Sequence, residues 1–285
     1  MRYSPVRWQR GCSYTLLVMR TAAAELVSEV ESRVRSAPCI SLFLDFDGTL
    51  VPISPLPDAP ELDSQTIETL KVLAGRERLV TTIISGRAMR DLNARVHLDR
   101  LIYAGNHGLE ICGRGLRFLE PRAAERREPL ERLCQELERD LSAIRGVSVE
   151  RKVLTASVHC RQADEEGRRR IPAIVDGVVG RYGGLFRVTA GRKILNIVPH
   201  IDWNKGAAVG WINEHLAGTG PILSIYFGDD ITDEDAFQVL EAQNSACRAI
   251  TVSVGRRADT CAHFHLPDPA AVHEFLLWLS QYGTN

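Results

Sequence analysis

No CxxC pair occurs in the 285 residues, and the seven cysteines, at 12, 39, 112, 134, 160, 247 and 261, are odd in number. Such spacing offers neither a zinc site nor a disulfide framework, so reduced thiols and a cytoplasmic setting are expected. An excess of one charge is missing too. Thirty-five Lys plus Arg against 36 Asp plus Glu leave a formal charge of -1, which removes any global attraction to nucleic acid and makes a small molecule the expected partner. Long apolar runs are absent from the N-terminal region. The run at 16–19 is too short for a membrane span or a secretory signal. Internal repeats and low-complexity tracts are also lacking. The first twenty residues carry Arg2, Arg7, Arg10 and Arg20 and no acid. They read as a loosely ordered tail with translation starting at Met19, an organellar transit peptide being the alternative.

What is present is a 45% hydrophobic content, enough to fill a core, in a chain long enough for one large or two ordinary domains. Leu26, Val27, Val30 and Val34 recur at helical spacing and predict a helix over 21–35. Strands are expected at 40–44, 79–84 and 101–104, with helices at 63–75 and 87–96 between them. The four prolines of 52–60 make that segment a loop. A hairpin is expected over 108–118, turning at Gly113-Arg114-Gly115.

From Glu120-Pro121 the pattern changes: a polar helix to about 144, strands at 147–150 and 153–159, a helix at 164–182, and strands at 186–189 and 193–198. Alternation then resumes with a helix at 204–215, a strand at 222–227, a helix at 233–242, a strand at 249–254 and a helix at 270–279. The expected fold is therefore α/β: an open parallel Rossmann-like sheet over 37–121 and 200–285, an inserted α+β unit over 122–199, and a tail and helix over 1–36.

Ligands of open parallel sheets bind beyond the carboxyl ends of the strands. Four such ends are polar: Asp45-Phe46-Asp47-Gly48-Thr49, Ser85-Gly86-Arg87, Gly105-Asn106-His107-Gly108 and Gly228-Asp229-Asp230. Carboxylates gathered from two strand ends repel one another unless a cation lies between them. Mg²⁺ suits such a place, because it takes hard oxygen ligands and keeps several waters. Asp233, in front of a helix, serves equally well as a helix cap. Lys205 enters a helix where the dipole disfavours a cation, which points to a functional reason for it.

In this order, Asp45-x-Asp47-Gly48-Thr49, Ser85-Gly86-Arg87, Lys205-Gly206 and Gly228-Asp229-Asp230 resemble the signatures of the haloacid dehalogenase superfamily of phosphohydrolases. More narrowly, the stretches 226–237 and 199–206 are similar to trehalose-6-phosphate phosphatases. The resemblance implies Asp45 as a nucleophile forming an aspartyl-phosphate and Asp47 as the acid and then the base, protonated at first under the influence of neighbouring negative charge. It implies Mg²⁺ on Asp45, the Asp47 carbonyl and Asp229, supported by Asp230 or Asp233. Ser85 and Lys205 would hold phosphate oxygens, with Gly86, Arg87, His107 and Gly108 around them.

The insertion corresponds to the family's cap, which closes over the sugar. His159 and Arg161, two apart on an expected strand, share a face and reach toward sugar hydroxyls; Lys193 and Asn196 lie on the strand returning to the core. The family usually has Leu-Glu-Ile/Val-Arg/Lys-Pro in that strand, and this chain has Leu195-Asn196-Ile197-Val198-Pro199. The implied activity is a Mg²⁺-dependent phosphomonoesterase acting on trehalose 6-phosphate in a monomer or weak dimer. The Asn196 departure leaves open another substrate, such as a glucosyl-glycerol or amino-sugar phosphate. A non-catalytic sugar-phosphate sensor is the reading from a different class, and it predicts loss of acids that are all present here.

Overall fold

The computed structural model describes residues 21–54, 61–191, 193–216, 220–242, 249–255 and 259–281. The expected tail, residues 55–60 of the proline-rich loop, and two of the cysteines lie outside the described residues. The five described cysteines, 39, 112, 134, 160 and 261, are free thiols.

The chain begins with α1 (Thr21–Ser36), β1 (Cys39–Asp45), α2 (Ser64–Ala74), β2 (Leu79–Ile84), α3 (Met89–Val96) and β3 (Ile102–Gly105). The hairpin expected at 108–118 is β4 (Glu110–Gly113) and β5 (Leu116–Leu119). Then come α4 (Pro121–Glu125), α5 (Arg127–Leu141), β6 (Ser148–Arg151), β7 (Ala156–His159), α6 (Glu165–Gly180), β8 (Phe186–Gly191) and β9 (Ile194–Pro199). The series ends with α7 (Lys205–Leu216), β10 (Ile222–Gly228), α8 (Ile231–Ala242), β11 (Ala249–Val254), β12 (Phe264–Leu266) and α9 (Pro269–Gln281).

An eight-stranded sheet runs in the order β12-β11-β10-β1-β2-β3-β4-β5, parallel except for the β4–β5 hairpin at its edge. Both faces are covered, so its central strands read as near-continuous apolar runs. Leu42, Leu44, Ile83 and Ile225 pack on one face with residues of α1, α2 and α9; Phe43, Ile84 and Tyr226 pack on the other with α7 and α8. The segment between Pro121 and Pro199 forms a second, antiparallel sheet in the order β6-β7-β9-β8, with its own core of α5 and α6 residues such as Leu133, Leu137, Ile171 and Val175.

Three differences from the expected elements have local causes. The polar helix after Glu120 is two helices broken at Arg126, because Pro129 has no N–H for the Glu125 carbonyl and its ring crowds that group. The strand expected from 153 starts at Ala156. Val153 adopts a left-handed φ of 70°, Lys152 N–H donates to the Thr155 carbonyl at 2.9 Å, and Leu154 packs against Leu109, Ala123 and Ile201. Tertiary packing there overrides the strand propensity of Val-Leu-Thr. Strand β12, three residues long, was too short to produce a periodic signal.

Asp63 stops α2 at its N-terminus, accepting from Gln65 and Thr66 N–H at 2.9 and 2.8 Å and from the Thr66 hydroxyl at 2.7 Å. Asp63→Ala is expected to lower stability by about 1 kcal/mol in urea unfolding at neutral pH, the usual worth of such a cap. An unchanged midpoint would mean that α2 is held by packing alone.

Candidate active site

Register sets the floor of the site. Leu44 lies level with Phe227 on β10, and Asp45 lies level with Ile84 on β2, so the residues leaving these strands emerge side by side. Carboxylate oxygens of Asp45, Asp229 and Asp233 lie within 4.8 Å of one another at this end of the sheet. Backbone approach makes this convergence possible. Gly48 has a φ of +90°, and a Cβ there would stand 2.1 Å from Asp229 Oδ2; a Cβ at Gly228 would stand 2.3 Å from Asp233 Cγ.

The cluster is buried and held by one ammonium. Lys205 Nζ donates to Asp45 Oδ1 at 2.7 Å and to Asp233 Oδ1 at 2.8 Å, and Lys205 is only 3% exposed. Burial opposes the charge on Lys205, but the Asp233 and Asp45 carboxylates outweigh it and hold its pKa well above the usual lysine range. Burial, reinforced by the charges of Asp233 and Asp229 and opposed by Lys205, raises the Asp45 pKa well above the usual carboxylate range. Asp233 is the most fully used acid. Oδ1 also accepts from the Tyr226 hydroxyl at 2.6 Å, and Oδ2 accepts from Asp229 and Asp230 N–H at 3.1 and 3.0 Å.

Three carboxylates facing one ammonium leave negative charge in excess in a low-dielectric place, and the donors are all hard oxygens, so the residues fit a divalent cation. Asp230 does not join them. Its carboxylate accepts from Ile231 N–H at 2.7 Å at the exposed start of α8, and of the two acids expected in support it is Asp233, inside the first turn of that helix, that joins the cluster. Helical periodicity explains the choice: one residue must cap the turn, and the residue three further on points back toward the strand end.

The phosphate-side residues divide. Ser85 is 2% exposed and its Oγ accepts from Arg87 N–H at 3.2 Å; Gly86 brings the backbone against the His107 ring, whose Cε1 would be 2.5 Å from a Cβ there. Ser85, Gly86, Arg87 and His107 line the cleft. His107 Nδ1 is sealed without a partner, and burial together with the charge of Lys205 pushes the imidazole pKa down to about 3, so it is neutral at physiological pH. Gly108, by contrast, faces α7: its Cβ position is 2.4 Å from Ala208 Cβ, and its carbonyl accepts from Trp203 Nε1 at 2.8 Å. It is a packing glycine. Asp47 departs from expectation as well, since its immediate neighbour is a guanidinium and not another acid: Arg87 Nε and Nη2 donate to its two oxygens at 2.7 Å each.

The second sheet roofs a cleft of about 1070 Å³ whose lining includes Asp45, Asp47, Lys205, Asp229, His159, Arg161, Lys193 and Asn196. His159 closes β7, and its Nε2 lies 2.8 Å from Glu150 Oε2. Arg161 stands beyond the strand, in a turn, and donates to the Ser54 carbonyl of the main sheet's loop at 2.9 Å, so it and His159 reach the cleft without sharing a strand face. Lys193 is in the β8–β9 turn, with a φ of 63°, and not on the strand. Asn196 is on β9 and its Oδ1 accepts from Ser157 Oγ at 2.7 Å.

Several cleft residues escaped the sequence reading, Glu150 and Lys152 among them. Glu150 and Lys152 enter from the β6–β7 hairpin, and Lys152, 8% exposed, donates to the Gly86 carbonyl at 3.3 Å. Charged residues in a short hairpin look solvated in sequence; the burial of Lys152 against the main sheet, with Glu150 beside it, marks them out.

The fold is similar to that of a haloacid dehalogenase-like hydrolase from Bacteroides thetaiotaomicron, with a TM-score of 0.57 and 14% identity, over 84% of this chain and 98% of that one. Residues 43–270 match the trehalose-phosphatase family model, and the chain belongs to that family. It is 37% identical over 238 residues to a trehalose-phosphate phosphatase of Mycobacterium tuberculosis, a match covering 82% of this chain and 60% of that one. It thus spans about 60% of the length of the mycobacterial relatives. Identity to the probable trehalose-phosphate phosphatase 4 of rice (Oryza sativa subsp. japonica) is 32% over 290 residues, covering 98% of this chain and 77% of the relative. The C-terminal domain of C. albicans trehalose-6-phosphate phosphatase has the same fold, with a TM-score of 0.77 and 22% identity, over 92% of this chain and 98% of that one.

Gly48→Ala is expected to keep the fold by circular dichroism while displacing Asp229. Divalent-ion affinity, probed with Mg²⁺ by titration calorimetry, should fall about tenfold, as when the support of a metal ligand is disturbed. Wild-type affinity in this variant would remove Asp229 from the ion's ligands.

Proposed function

We propose that the chain is a Mg²⁺-dependent phosphomonoesterase that hydrolyses trehalose 6-phosphate to trehalose and inorganic phosphate. The observation that carries this reading is Asp45, pinned by Lys205 beside Asp229 at the floor of a cleft roofed by Glu150, Lys152, His159 and Asn196. A floor of acids and cations suits a phosphoryl group, and a roof of mixed donors and acceptors suits sugar hydroxyls.

Asp45 and Asp229 would hold Mg²⁺, with Asp233 in support. Bound there, the ion supplies positive charge that keeps Asp45 ionised and draws in the phosphate. Asp45 attacks phosphorus; its new O–P bond forms as the bond to the sugar oxygen breaks, and that oxygen takes a proton from Asp47. Water then attacks the aspartyl-phosphate and gives a proton to Asp47 as the Asp45–phosphorus bond breaks, which restores both residues. Lys205 fixes Asp45 Oδ1 through both steps, and Ser85 and the neutral His107 line the phosphoryl pocket.

In this reading 122–199 is the cap, 37–121 and 200–285 the catalytic core, and the free thiols suit a cytoplasmic monomer or weak dimer. No described helix is long and apolar enough to cross a membrane.

Asn196 favours a second substrate within the same chemistry. Its Oδ1 is engaged by Ser157, so the amide N–H groups are what it offers to the cleft, where a glutamate would offer acceptors. Another sugar phosphate, such as a glucosyl-glycerol or amino-sugar phosphate, fits that change.

Phosphate release from a panel of sugar phosphates, with and without chelator, decides between them. Trehalose 6-phosphate should exceed every other ester in kcat/KM by at least about tenfold, roughly 1.4 kcal/mol; a smaller margin sinks the first substrate. Chelator should abolish turnover and added Mg²⁺ restore it. Asp45→Asn should lower kcat by at least about a thousandfold, as expected when a nucleophile is removed, and substantial residual turnover would rule out the covalent step.

A further inference from the structure

Arg87 stands in the cleft wall with its hydrogen-bonding fork turned on protein carboxylates. Its side chain is 13% exposed. Nε and Nη2 grip the two oxygens of Asp47 at 2.7 Å each, while Nη1 donates to Asp91 at 2.8 Å. Asp91 in turn accepts from Arg95 Nε at 2.9 and 3.0 Å, one helical turn further along α3. The guanidinium also lies 5.4 Å over the Phe46 ring. Burial works against its charge, but Asp47 and then Asp91 outweigh burial and hold the Arg87 pKa above the ordinary arginine value.

An arginine built to bind phosphate presents its paired N–H groups to the ligand. Here that pair is committed to the residue that transfers the proton. We propose that Arg87 is a positioning residue for Asp47, with Asp91 as its anchor, and not a ligand of the substrate phosphate. The inference rests on the phosphatase reading above.

The two half-reactions then depend on Arg87 differently. Each Asp47 oxygen accepts one N–H from Arg87 and keeps a second lone pair, so the fork fixes the carboxylate in the orientation needed to take a proton from water in the second step. The first step draws on a proton from Asp47 only when the leaving group is poor. An ester with a good leaving group can therefore complete the first step without Arg87 and stall at the second.

Rapid mixing with p-nitrophenyl phosphate tests this. Arg87→Ala should release about one equivalent of p-nitrophenolate per site at a rate within about threefold of wild type, then turn over at least about tenfold more slowly, with KM falling alongside kcat because kcat/KM is set by the first step. Its kcat on trehalose 6-phosphate should fall at least about tenfold as well. Arg87→Lys, which restores the charge but not the fork, should recover less than about threefold of that loss. Asp91→Asn leaves the grip on Asp47 in place and should shift the same quantities in the same direction by about two- to fivefold; it carries the test if Arg87→Ala is unfolded.

A KM raised about tenfold or more, with burst and kcat unchanged, would make Arg87 a phosphate ligand and overturn the proposal. Loss of the burst itself in a folded variant, or full rescue by lysine, would overturn it as well. Wild type inert toward both esters would instead overturn the phosphatase reading, and this inference with it.

Discussion

One buried ammonium between two buried carboxylates organises this site. Lys205 joins Asp45 on β1 to Asp233 on α8, and all three are nearly inaccessible to water. Taking such charges out of water is costly, and removing one partner would leave the others uncompensated by several kcal/mol. The arrangement is tolerable because both carboxylates accept from the ammonium and Asp233 accepts from further donors. Asp233 also receives the Tyr226 hydroxyl and the Asp229 and Asp230 amides, so the same contact that balances charge shapes the turn carrying Asp229. Neutralisation is incomplete, which leaves the cluster prepared for a further cation and then for an anion.

The second sheet is joined to this floor by contacts of another kind. The turn between β6 and β7 inserts Leu154 among Leu109, Ala123 and Ile201, where the two connections between the sheets pass. Thr155 Oγ1 donates to Asn106 Oδ1 at 2.9 Å, and Lys152 reaches the Gly86 carbonyl. Asn106 N–H in turn donates to the Arg87 carbonyl at 2.7 Å and His107 N–H to the Ser85 carbonyl at 2.9 Å. A single layer of hydrogen bonds thus links the hairpin of the roof to the loop beside Asp45. The shape of the roof and the geometry of the loop at Ser85–Arg87 are joined through it.

Legibility in the sequence followed the range of the interactions. The apolar runs of β1, β2, β10 and β11 and their polar ends were readable, because a strand covered on both faces needs apolar residues throughout and changes character where it leaves the sheet. So was the interruption of the alternating pattern after Glu120. The split at Arg126 was missed although Pro129 announces it, since helical spacing continues on both sides. Arg87 is expected among the residues around the phosphate from its place after Ser85-Gly86, and nothing local reveals that its fork grips Asp47. Asp230 and Asp233 were indistinguishable until the start of α8 fixed which one points inward. Glu150 and Lys152 carried no signal at all.

The amino-acid sequence by itself determined the elements, the acidic strand ends and the family, because these rest on periodicity and on residues close together in the chain. Which side chains meet was decided only by tertiary structure. Lys205 and Asp45 lie 160 residues apart, and their contact depends on β10 forming beside β1 with its carboxyl end at the same level. Strand adjacency and register are properties of the whole sheet, and no local stretch of sequence encodes them.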